Sequence, residues 1–147
     1  MIAWEVDIKL RVQTQSGWEW QVSNDIFKFI KNELYIELRF FDVAFSELIP
    51  QVDETIETMS TDGNCIFFKP EHMISVFKKN SKYLDRLFLH SVLHCIFSHL
   101  WVRGERDLFI WGIACDIIVE YTIDNMEKEI LKRPLSWLRM QVYEKID

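Results

Sequence analysis

The chain has 147 residues, 49 % of them hydrophobic and 14 % aromatic, with four glycines and three prolines. This composition can build a core and excludes intrinsic disorder, collagen-like repeats and low-complexity linkers. The formal charge is −6 and the lysines and arginines are dispersed, which excludes the basic footprint of a nucleic-acid binder.

Residues 2–12 alternate, with Ile2, Trp4, Val6, Ile8, Leu10 and Val12 on one side and Glu5, Asp7, Lys9 and Arg11 on the other. Period two predicts a half-buried strand. After Gly17, Trp18, Trp20 and Val22 alternate again with Glu19 and Gln21, so 2–13 and 17–22 read as a β-hairpin within an N-terminal unit, 1–23. Its tryptophans read as the core-facing side of a sheet. Asn24 or Asp25 can cap a helix, and Phe27, Ile30, Leu34 and Leu38 recur at helical spacing over 25–39. A second helical piece should run to about Ile49, where Pro50 stops it.

Two β-prone runs, Thr55–Thr61 and Cys65–Phe68, flank Asp62-Gly63 and predict a second hairpin within 54–69. Pro70 stands near the start of a short helix over 71–79. Residues 82–102 are apolar almost all the way round and predict a buried helix closed by Gly104. A last major helix should run over 107–126, with Pro134 limiting its extension. No repeat or linker divides the chain, so 1–147 reads as one domain. The fold class is α+β: a small mixed or antiparallel sheet packed on several helices, with a buried central helix that carries histidines.

Cys65, Cys95 and Cys115 form no C-x-x-C pair, which fits free thiols in a reducing, cytoplasmic setting. Glu5 and Asp7 interrupt the N-terminus, and no signal peptide is visible. The longest stretch without Asp, Glu, Lys or Arg, Leu87 to Val102, contains three histidines and is too short and polar for a membrane span.

Three of the four histidines, His90, His94 and His99, fall within ten residues. On a helix, His90 and His94 stand about 40° apart on one face, one turn above the other, so both imidazoles can converge on one tetrahedral Zn²⁺. In an unbroken helix His99 is turned about 180° from His90 and cannot share that metal, so it reads as a helix-end or packing residue. Asp116 lies in the apolar run Ile113–Val119, where a buried carboxylate needs a partner or a metal. Glu120 lies one turn further on the same face. Two readings stay open. Asp116 is a third ligand beside an open position, or it hydrogen-bonds His90 or His94 with no metal present. Cys95 and Cys115 point about 100° away from the neighbouring candidate ligands and read as packing residues.

In these residues the chain resembles the bacterial zincin-like putative metallopeptidase domain that usually precedes a von Willebrand A-like domain. The resemblance spans about 40–126. It includes Thr61-Asp62-Gly63, Lys69-Pro70 where the family has Asn-Pro, and the helix from His90 through His94 to His99. It continues through Arg103, Arg106-Asp107, Trp111 and Ala114-Cys115-Asp116. It implies a zincin-like fold with His90, His94 and Asp116 as zinc ligands. The same donor set suits Fe²⁺ as well.

Two departures bear on activity. Ser91 stands where the family has the Glu of H-E-x-x-H, the general base that takes a proton from the attacking water. Glu120 stands where the family has Asn. It is a candidate substitute base, although it would approach from a different helix. The expectation is therefore a metallopeptidase-related domain that binds metal but is catalytically impaired, a pseudoenzyme. The alternative is a non-enzymatic interaction module on the same scaffold without metal. The expected partners are a peptide or protein segment, or a von Willebrand A-like domain in a longer chain.

Overall fold

The computed structural model describes residues 14–131. The strand expected at 2–13, with Trp4, lies outside the described residues, as do the residues beyond 131.

The first helix, α1, spans Gln15–Glu37. It overturns the expected strand at 17–22 and with it the N-terminal hairpin. Thr14 is the cap: its Oγ1 accepts the Gly17 N–H at 3.1 Å. Trp18, Val22, Ile26 and Ile30 are spaced by four, so the run that alternates locally also continues a helical face into buried Ile26, Phe27, Ile30 and Leu34. Trp20 uses its ring against Phe68, stacked at 6.1 Å.

A 3₁₀ turn at Arg39–Phe41 leads into the short helix α2, Asp42–Glu47. The helical piece expected to reach Ile49 ends earlier, because Leu48 is already extended and Ile49–Val52 form strand β1. Pro50 lies in this edge strand, where a missing N–H is tolerated. Strands β2 (Ser60–Thr61) and β3 (Cys65–Phe68) complete a sheet of order β1-β3-β2. β1 runs parallel to β3 and β2 antiparallel to it, so the sheet is mixed. The second hairpin is present, but only two residues of its first run pair. Gly63, at φ +96°, supplies its turn, and the Asp62 carboxylate accepts the N–H groups of Asn64 and Cys65.

Helix α3 is Pro70–Lys79, with proline in its first turn. Helix α4, Ser81–Ile96, is the central element and packs on α1, α3 and α5 (Leu108–Asn125). A 3₁₀ turn at Glu129–Leu131 follows. The core lies between α1, α4 and the inner face of β3. Phe27 meets Phe68 edge-on at 5.0 Å and Phe88 at 6.1 Å, and Ile66, Leu84, Leu89 and Leu93 fill the space around them. The architecture is α+β, as the patterning predicts.

The central helix is shorter than its apolar run. It stops at Ile96, not near 102, and Ser98 turns left-handed at φ +60°. The N–H of Ser98 reaches the Cys95 carbonyl and that of His99 the His94 carbonyl, both at 3.0 Å, which closes the helix end. Nothing in the side-chain pattern marks this stop, since the glycine that follows, Gly104, comes later. Among the described residues no helix is long and apolar enough to cross a membrane.

Candidate metal centre

Helices α4 and α5 pack side by side and bring His90, His94 and Asp116 to one point. One ligand atom from each lies within 4.8 Å of the other two. His90 Nε2 and His94 Nε2 are 2.9 Å apart, and Asp116 Oδ1 is 3.2 Å from the first and 3.0 Å from the second. These separations are close to the roughly 3.3 Å edge of a tetrahedral zinc site with bonds of about 2.0 Å. The four-residue spacing of the histidines on α4 sets the first distance.

Asp116 is not the buried carboxylate that its apolar neighbours suggest: it is 61 % exposed. Ile113 and Ile118 beside it are also exposed, because α5 buries only Cys115, Val119 and Ile123. The case for Asp116 as a ligand therefore comes from its convergence with the two imidazoles and not from burial.

The outer nitrogen of each imidazole has its own partner. His90 Nδ1 is 2.9 Å from Glu120 Oε1. The other oxygen of Glu120 accepts the Arg86 Nε–H at 2.9 Å and pairs with Arg86 Nη2. Arg86 is 2 % exposed, and it also bonds the Leu131 carbonyl at 2.8 Å and Asp124 at 2.7 Å. Glu120 thus lies behind the His90 ring, on the pole away from the cluster, with both oxygens engaged. That is the place of an orienting group and not of the substitute base expected from sequence. His94 Nδ1 is 3.0 Å from His99 Nδ1. The early end of α4 makes this contact: it folds His99 back beside His94, where an unbroken helix would have turned it away.

When the outer nitrogens carry the protons toward Glu120 and His99, the two inner Nε2 atoms and the Asp116 oxygen become three acceptors facing one point. Such a set calls for a cation, either a proton or a metal. Burial opposes charge on His90, but its hydrogen bonds to Asp116 and Glu120 outweigh burial and push it up to about 9. The same imidazoles hold the Asp116 carboxyl well below the usual carboxylate range. Burial, with His94 nearby, lowers His99 from its ordinary value.

The cluster opens onto a cleft of about 450 Å³ between α4, α5, β2 and the loop after α4. Thr58–Thr61 form one wall, and Leu100, Leu108 and Trp111 form the other. Ser91 lines the cleft where the expected base would stand. It is 4 % exposed, and its hydroxyl donates to the Leu87 carbonyl of its own helix at 3.3 Å. Cys115 is buried on the cleft wall, and Cys95 is half-buried with its thiol 3.9 Å from the Thr61 hydroxyl.

Two features had weak or no sequence signal. Arg86 stands beside Asp85 at the edge of the apolar run, and only its place one turn before His90 could have flagged it. The role of His99 depends on a helix end that its side chains do not announce.

Residues 33–142 match the family described as "putative metallopeptidase domain". The match takes in the cluster, the cleft and most of the core. No curated protein and no solved structure matches the chain.

Proposed function

We propose that this chain, which belongs to the putative metallopeptidase domain family, holds one divalent metal, zinc, on His90, His94 and Asp116 and binds peptide with little or no hydrolysis. The observation that carries the metal reading is the convergence of three potential ligand atoms within 4.8 Å, each imidazole having a separate group behind it. Two nitrogens and one carboxylate with an open side toward a cleft form a donor set of catalytic zinc sites. A metal there would supply Lewis acidity toward water and a carbonyl oxygen.

The remaining chemistry belongs to the protein's own residues. Glu120 and Arg86 hold the His90 ring, while His94 and Asp116 complete the donor set. Ser91 cannot take the proton of an attacking water at neutral pH. Loss of a general base lowers rate by about 10²–10⁴. The apolar wall of Leu100, Leu108 and Trp111 suits the side chains of a peptide lying across the cleft.

Elemental analysis of protein purified without chelator tests the metal reading, beside a His90→Ala/His94→Ala variant. One zinc per chain, absent from the variant, is the expected result. No metal in either protein after zinc is added back would remove the ligand assignment. The chain would then stand as an interaction module held together by Asp116–imidazole hydrogen bonds.

A further inference from the structure

His99 stands outside the three-residue cluster, yet three separate constraints fix its position. Ser98 turns left-handed immediately before it. The Trp111 indole N–H donates to the His99 backbone carbonyl at 2.9 Å, tying the loop to α5. Two residues further on, Trp101 lies over Gly63 so closely that a Cβ there would meet its ring at 2.6 Å, which ties the loop to the β2–β3 turn. Between these anchors, His99 Nδ1 lies 3.0 Å from His94 Nδ1.

A contact between two imidazole Nδ1 atoms needs one donor and one acceptor. His94 has its Nε2 among acceptors of the cluster, 2.9 Å from His90 Nε2 and 3.0 Å from Asp116 Oδ1. A metal at that point requires a bare lone pair on His94 Nε2, and its ring proton must then sit on Nδ1. His99 is the group that can receive that proton's hydrogen bond.

We propose that His99 is a positioning residue whose Nδ1 accepts the His94 Nδ1–H and so fixes His94 in the tautomer that presents a bare Nε2 to the cluster. It performs for His94 what Glu120 performs for His90, with a neutral ring in place of a carboxylate. One imidazole is thus backed by an anion and the other by a neutral acceptor. The inference rests on the metal reading for its purpose, but the 3.0 Å contact between the two Nδ1 atoms is present without metal, and its proton can be located there.

Two measurements decide it. Long-range ¹H–¹⁵N correlation spectra of the metal-free protein report which nitrogen of His94 carries the proton. Nδ1 is expected, against the Nε2 form that an isolated imidazole favours, and a proton on Nε2 would overturn the proposal. Zinc affinity is then measured by competition with a chromophoric chelator for the unaltered protein, His99→Ala and His99→Asn. Loss of an outer-shell partner weakens binding by about 10–100-fold, which is the change expected for His99→Ala. An asparagine amide oxygen occupies the place of Nδ1, so His99→Asn should recover most of that loss. Equal weakening in both variants, or in neither, would overturn the positioning role. If the unaltered protein takes up no zinc, the metal reading fails, and the His94 tautomer alone decides whether His99 positions it.

Discussion

Arg86 and Glu120 form an ion pair between α4 and α5 directly behind His90. Arg86 is 2 % exposed and reaches Glu120, Asp124 and the Leu131 carbonyl at once. It therefore both neutralises the outer carboxylate and fastens the last described turn to the central helix. Removing one partner of a buried pair leaves the others uncompensated. Arg86→Met should cost about 3 kcal/mol in urea denaturation and weaken zinc binding in the same protein. An Arg86→Met protein of unchanged stability would show that the pair contributes nothing to the α4–α5 contact.

Ser91 is the residue whose exchange should restore chemistry. Its backbone already stands on the cleft wall, one position after His90. Ser91→Glu is expected to raise zinc-dependent hydrolysis of a quenched-fluorescent peptide library by about 10²–10⁴ over the unaltered chain. The gain should vanish with chelator. Activity in the unaltered protein equal to that of Ser91→Glu would overturn the reading of an impaired site.

Asp85 sets a dependence on pH away from the cluster. It is fully buried on α4, where burial first, and then Glu33 of α1, push its carboxyl up to about 9, with Lys82 opposing. The folded protein therefore holds a proton that the unfolded chain releases near 4. Stability from this group is complete below about pH 4 and is lost as pH rises toward 9. Asp85→Asn, which keeps the shape and cannot ionise, should flatten the decline. The gap between variant and unaltered protein should widen steadily from pH 5 to pH 8 in urea melts. Parallel curves would show that Asp85 does not carry the proton.

Gly63 links the sheet to the loop of His99. Its φ of +96° and the Trp101 ring in the space of a side chain both oppose alanine. Gly63→Ala should lower stability by about 2 kcal/mol. It should also weaken zinc binding although Gly63 is not part of the cluster. A variant that is destabilised but binds zinc normally would show that the loop holds His99 without help from the turn.

Much of this could be read in the sequence. The long apolar runs within 82–102 and 107–126 gave both site helices, and the four-residue spacing of His90 and His94 gave their shared face. Other features rest on long-range contacts. Trp18, Trp20 and Val22 satisfy period two locally, and only packing on Phe68 and the Thr14 cap make them helical. β1 pairs with β3 across a dozen intervening residues, and nothing local in Ile49–Val52 signals that partner. Asp116 stands out in the sequence through apolar neighbours that the structure leaves exposed, so burial does not argue for it, and only its convergence with His90 and His94 does. The stop at Ile96 carries no glycine or proline, and with it the placement of His99 stayed hidden.

Asp116 and Glu120, one turn apart on α5, touch the two opposite nitrogens of the same His90 ring. The ring therefore works as a gauge block set between two teeth of one rigid rack. Sliding α5 by a single residue moves each tooth about 1.5 Å along the axis and about 100° around it, so both contacts fail together. Partial docking of the two helices has no partially formed centre to match it. Metal uptake by this protein should follow docking of α5 in one cooperative step, so that a bound ion reports the seating of a helix as much as the identity of its ligands.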